Sequence, residues 1–191
     1  MDVRRVSWSL GEIASLCTKA ARGAGHPWGI AEEVGWAVRW LSGRGLAGPE
    51  ACATWLQGGA GACPIRAGLE IRDLGNVTPG TRFDDLAAPG LLLPFVAWAL
   101  GAGQAVRVTM DACPVILSRD GVDVTTALPD RAAVRIEAFD GEPPAPNRAW
   151  RIVDVQPAAL ALLQSLAQRT YAPASEQSRL LGAGAGLTDN D

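Results

Sequence analysis

The sequence predicts an α+β fold: an N-terminal three-helix lobe, then a small antiparallel sheet with a core helix, and a C-terminal helix. Three observations carry this. Apolar residues recur at helical spacing through the first 58 positions, and β-branched runs separated by turn residues fill positions 105–153. Between them lies an uncharged stretch, 86–103, that Pro and Gly break into pieces too short to cross a bilayer. A length of 191 residues, 48% hydrophobic and 19% charged, fits one globular domain or two small lobes sharing a core.

The first helix is the best signalled. Ser9-Leu10-Gly11-Glu12 is a capping box, flanked by Trp8 and Ile13 as a hydrophobic staple, so the helix starts at Leu10. Ile13, Leu16, Cys17 and Ala20 form its apolar stripe, and Gly23-Ala24-Gly25 stops it. Pro27 opens a second helix over 28–41, ended by Ser42-Gly43, and Pro49 opens a third that runs to Gln57. The helical lobe is therefore 1–58. Gly58 to Pro64 reads as a linker into an α+β lobe at 65–171.

In that second lobe Ile65, Ala67, Leu69 and Ile71 alternate with polar residues and glycine, a strand-like period of two, with a short helix as the alternative. Leu91 to Leu100 would rise about 15 Å as a helix, half of a bilayer's roughly 30 Å, so it is a core helix with Pro94 in its first turn. The runs 105–110, 115–118, 122–126, 133–139 and 150–153 are assigned to the antiparallel sheet. Arg119-Asp120-Gly121-Val122 is read as a hairpin whose Asp-Gly accepts positive φ. Pro157 starts the last helix, with Leu160, Leu163, Leu166 and Ala167 on one side, and a Gly/Ala-rich tail occupies 172–191.

Composition narrows the function classes. Seventeen basic residues against 20 acidic ones, a net charge of -3 and no Lys/Arg cluster give no footprint for nucleic acid. A single histidine, His26, in the loop before the second helix, and four cysteines at 17, 52, 63 and 113 match no zinc or redox spacing. No metal and no cofactor is therefore expected, and the cysteines are read as small buried hydrophobes. The residues after Met1 lack the apolar core of a signal peptide, so a cytoplasmic protein with no membrane partner is expected.

The second helix carries more apolar surface than one core requires. Ile30, Val34, Ala37 and Leu41 make one stripe, while Gly29, Glu33, Trp36 and Trp40 make a second, away from the first. That second face either packs on the sheet lobe or another subunit, or walls a ligand site with Glu33 as polar contact. Glu32 points elsewhere, which rules out a two-carboxylate acid/base pair. By composition the tail reads as a mobile terminus; the alternative is a functional one, with Gly182-Ala183-Gly184-Ala185-Gly186 as a hinge and Asp189 and Asp191 carrying charge for a hard cation or a basic partner.

Ala20-Ala21-Arg22-Gly23-Ala24-Gly25, Trp28-Gly29-Ile30-Ala31-Glu32-Glu33, Arg39-Trp40-Leu41, and an ending from Pro173-Ala174-Ser175-Glu176 through Ser178-Arg179-Leu180 to Thr188-Asp189-Asn190-Asp191 stand out as marked segments. Together they resemble a family of uncharacterised proteobacterial proteins, DUF3726. The resemblance implies no reaction, but it singles out Arg22, Trp28, Glu32, Glu33, Ser175, Glu176, Ser178, Arg179, Thr188, Asp189 and Asn190. With Trp36 these are the candidate ligand-binding residues. Ala24-Gly25, Ala31-Glu32, Val34, Ala37 and Gly45-Leu46-x-Gly48 are also similar to the opening helices of the non-Rossmann malate/L-lactate dehydrogenases. That family's Ser-His-Gly is replaced here by Pro49-Glu50-Ala51, so its activity does not carry over.

The expected function is binding of a small polar or anionic metabolite between the lobes, with Arg22 or Arg179 as charge contact, Glu33 or Glu176 as acceptor and the tail as lid. The alternative is a non-catalytic subunit, a homodimer included, that docks a protein partner through its Trp-rich helix face and acidic C-terminus. An enzyme using Arg, Glu, Asp and Ser without metal stands third.

Overall fold

A computed structural model describes residues 7–58, 62–149, 151–153 and 155–170. The Gly-rich residues 59–61 and the whole tail with Ser175, Glu176, Ser178, Arg179, Thr188, Asp189 and Asn190 lie outside the described residues.

The three N-terminal helices form where the capping and proline signals place them: α1 at Leu10–Gly23, α2 at Trp28–Ser42 and α3 at Gly48–Gln57. The Ser9 hydroxyl accepts from the Glu12 N–H at 3.1 Å, and the Ser9 N–H donates to the Glu12 carboxylate at 2.8 Å, which satisfies two orphan donors of the first turn. Residues 65–72 are helical, the alternative to the alternating strand reading. Pro64 occupies the first turn of α4, Pro64–Leu74, and Gly75 ends it with φ of 68°. Its buried positions, Ile65, Ala67, Gly68 and Ile71, trace one side of a helix.

A 3-10 turn at Pro89–Leu92 leads directly into α5, Leu93–Ala99, so the core helix is there but its first turn is tighter than expected. All residues from Leu91 to Ala97 are buried. Around them closes a five-stranded antiparallel sheet in the order β2-β6-β3-β4-β5, formed by Arg82–Ala87, Arg131–Ala138, Ala105–Met110, Cys113–Ser118 and Val122–Val124. Val106, Val108, Met110, Val115, Leu117, Val134 and Ile136 are its buried face. β2 has no strand signature, because a bulge between Phe83 and Leu86 interrupts its alternation and both of its aspartates are exposed.

Two turn and strand assignments need correction. The hairpin read at Arg119–Val122 does form, joining β4 to β5 with the Ser118 N–H donating to the Gly121 carbonyl at 2.9 Å, but without positive φ at Asp120 or Gly121; that conformation is at Asp111, in the two-residue link between β3 and β4. Gly121 is required for another reason: a Cβ there would lie 2.3 Å from the Pro144 carbonyl oxygen. Of the run at 150–153, Trp150 lies outside the described residues and 151–153 do not join the large sheet. Its strand β7, Arg151–Val153, pairs instead with β1, Ser7–Ser9, aligning Ile152 with Trp8. This returns the chain to the helical end of the molecule, where α6, Pro157–Gln168, packs on α1 and α3. Gly23 permits that approach, since a Cβ would lie 1.8 Å from the Leu166 carbonyl oxygen.

The four cysteines are free thiols; Cys17, Cys52 and Cys113 are buried and Cys63 is half-buried. A hydrogen bond with Cys52, then burial, hold the Cys17 thiol well above its ordinary pKa. No helix among the described residues is long and apolar enough to cross a membrane.

Candidate functional site

Helix α2 buries Ala31, Val34, Gly35, Ala37, Val38, Leu41 and Ser42, a wider face than the four-residue stripe read from spacing, with Ile30 half-buried at its margin. On the opposite side it presents Trp28, Glu32, Trp36, Arg39, Trp40 and Gly43, with Glu33 at the edge. At 100° per residue Glu32 and Arg39 fall about 20° apart on this outward stripe, so Glu32 shares the face from which the sequence reading had excluded it.

Around the N-terminal half of the stripe, Glu32, Glu33, Trp36, Arg72 and Trp98 line a depression of about 390 Å³. Arg72 of α4 places one guanidinium nitrogen 2.8 Å from both Glu33 carboxylate oxygens, with both side chains largely shielded. Glu33 is therefore already neutralised, and it fixes α4 against α2. Trp36, which lines the depression, meets the Phe95 ring edge-on at 5.0 Å between centroids. Trp98 is 50% exposed. Glu32 is exposed and has no hydrogen-bond or ion-pair partner among the described residues.

Trp36 also lines a second depression, of about 310 Å³, with Leu10, Arg39, Trp40, Gly43, Arg44, Arg148 and Ala149. It lies between the helical lobe and the chain returning from the sheet, which the Ala149 N–H ties to the Gly43 carbonyl at 2.6 Å. Arg44 lies over the Trp40 ring with its guanidinium carbon 3.6 Å from the centroid. Two of its nitrogens reach the Trp40 and Arg119 carbonyls at a long 3.4 Å, and Nε is buried with no partner. Burial lowers the pKa of this guanidinium, Asp120 raises it and Arg148 lowers it further. Arg39 and Arg148 have no carboxylate partner among the described residues. Three cationic side chains thus border one groove whose walls are indole and contain no carboxylate.

Arg22 and Trp28 come together elsewhere, in the loop between α1 and α2. The Arg22 guanidinium donates to the His26 carbonyl and lies over the Trp28 ring at 4.8 Å, while the His26 imidazole stacks on Trp55 at 4.4 Å. These contacts fix the loop and leave Arg22 outside both grooves. Of the candidates within the described residues, Glu32, Glu33 and Trp36 share a groove; Arg22 and Trp28 do not join them.

The sequence reading missed Arg39, Arg44, Arg72, Trp98 and Arg148 as site residues. Arg39 stood in a motif already quoted, but Arg148 reaches α2 only through the fold, and no spacing announces it. One other depression is more committed to structure. Next to the α2–α3 loop, the Glu50 carboxylate accepts the Gln156 N–H at 2.9 Å, and Asp130 accepts the Thr54 hydroxyl at 3.2 Å. Among the described residues no three His, Cys, Asp or Glu side chains converge in a way that could hold a metal ion.

A family model described as a protein of unknown function, DUF3726, matches residues 8–87. This stretch contains α1 to α4, both Glu32 and Glu33, and the Arg39-Trp40-Leu41 segment; it ends before the strands that carry Arg148 back. No curated protein and no solved structure matches the chain.

Proposed function

We propose that the protein binds a small anionic metabolite in the groove between α2 and residues 148–149, with Arg39, Arg44 and Arg148 supplying the charge and Trp36 and Trp40 the apolar wall. One observation carries the reading: Arg44 is stacked on Trp40 and partly desolvated, has donor capacity its protein partners do not use, and stands beside two further arginines that no carboxylate neutralises. Planar guanidinium donors match carboxylate or phosphate oxygens, and a low-dielectric wall strengthens the pairing. The reading keeps the expected kind of ligand but takes Arg39, Arg44 and Arg148, rather than Arg22, as charge contacts. No reaction is assigned to the groove.

Hexyl phosphate serves as a probe. It is expected to raise the melting temperature and to shift the indole N–H resonances of Trp36 and Trp40 in ¹⁵N-labelled protein, and both effects should weaken at least tenfold in Arg148→Ala and Arg39→Ala. Equal responses to hexyl phosphate and to sodium chloride of the same ionic strength would remove the proposal.

A second reading, docking of a second copy or another protein partner, is favoured by the exposure of Trp28 (62%) on α2, Leu74 (70%) at the end of α4 and Trp98 (50%) on α5. Its mark is a mass in solution above that of one chain, lost in Trp28→Ser or Trp98→Ser.

A further inference from the structure

The two grooves of α2 have opposite character and share one wall. On one side of Trp36 are Arg39, Arg44 and Arg148; on the other are Glu32 and Glu33, with Arg72 cancelling only Glu33. The acidic groove therefore keeps one uncompensated carboxylate, Glu32, beside two indoles, Trp36 and the half-exposed Trp98. Indole faces with an adjacent carboxylate attract an organic ammonium group, because the ring quadrupole and the carboxylate act on the same charge.

We infer that the ligand is bipolar, an organic ammonium joined to a phosphate or carboxylate, lying along α2 with its cationic end on Glu32, Trp36 and Trp98 and its anionic end on Arg39, Arg44 and Arg148. This rests on the anion-binding reading of the basic groove and adds the second half of the molecule. Glu32 and Arg39 lie seven residues apart on one stripe, so two helical turns set the separation of the charges at roughly 10 Å. A ligand with adjacent charges, such as an α-amino acid, is too short to reach both.

Three probes separate the ideas: tetramethylammonium chloride for the cationic end, hexyl phosphate for the anionic end, and a trimethylammonium joined to phosphate through a six-carbon chain. Binding is followed by the indole N–H resonances of Trp98 and Trp36. Tetramethylammonium is expected to shift Trp98, and Glu32→Gln to abolish the shift without changing the melting temperature of the free protein, since Glu32 holds no structural contact. The linked probe should bind at least tenfold more tightly than hexyl phosphate, and Glu32→Gln should remove that gain while leaving hexyl phosphate unaffected. A tetramethylammonium response that survives Glu32→Gln, or a linked probe no tighter than hexyl phosphate, overturns the bipolar ligand. If hexyl phosphate fails to bind while tetramethylammonium binds through Glu32, the basic groove is misread and the bipolar proposal falls with it, but the cation site remains.

Discussion

The imidazole of His26 stacks on Trp55 near Arg66, and burial first, then that positive charge, lower its pKa from the ordinary 6.5. Above that value the ring is neutral in both folded and unfolded chains. As pH falls through it, the unfolded chain takes up a proton that the folded chain resists, so stability is present above about pH 6.5 and declines as pH drops toward the lowered folded-state value. Because the sequence has one histidine, the effect can be assigned. The urea midpoint is expected to fall modestly from pH 7 to 5.5, and the slope over this window should flatten in His26→Gln. A slope unchanged by the substitution would place its origin elsewhere. The residue-level site was legible only in part. Glu33 and Trp36 are visible as an amphipathic excess on α2, but that Arg72 neutralises Glu33, and that Glu32 is the free carboxylate, depends on a helix some 40 residues further on.

At the level of elements, end signals proved stronger than periodicity. Ser9 with Glu12, Pro27, Pro49 and Pro157 each start a helix where local chemistry satisfies or removes orphan N–H groups, and these are properties of a few adjacent residues. The alternation at Ile65 to Arg72 misleads because a short segment with apolar residues at 65, 67 and 71 also fits one helical face; Pro64 and Gly75 decide it. β2 is invisible because its pairing with β6, rather than its own side chains, makes it a strand. The α1–α6 contact gives a sharp test. Gly23→Ala puts a methyl group against the Leu166 backbone, which cannot yield as a side-chain end would, and is expected to destabilise by about 1–3 kcal/mol in urea denaturation. Gly29→Ala, with open space around its Cβ, should stay within about 0.5 kcal/mol. Equal effects would mean that α6 does not seat on α1 as described.

In the whole molecule, α6 follows the sheet in sequence yet packs on α1 and α3, and α4 and α5 pack together beside α2. Buried residues from Ile13 to Leu166 form one apolar cluster, so neither lobe completes its core alone. Urea unfolding followed by tryptophan fluorescence and by far-UV circular dichroism is therefore expected to give coincident transitions. Two separated midpoints would show the lobes unfolding independently.

By itself the sequence determined the α+β class, the starts of α1, α2, α3 and α6, the burial of the uncharged stretch, and the excess of tryptophan on α2. Each depends on residues within one or two turns of one another. It took the packed fold to show that residues 151–153 pair with β1 beside α1 and that Arg148 stands with Arg39 and Arg44. The same holds for Arg72 and Trp98, which reach α2 from α4 and α5. The charges that define the two grooves are separated by up to about a hundred positions in sequence, and contacts at that range are set by how the elements pack, which no local spacing records.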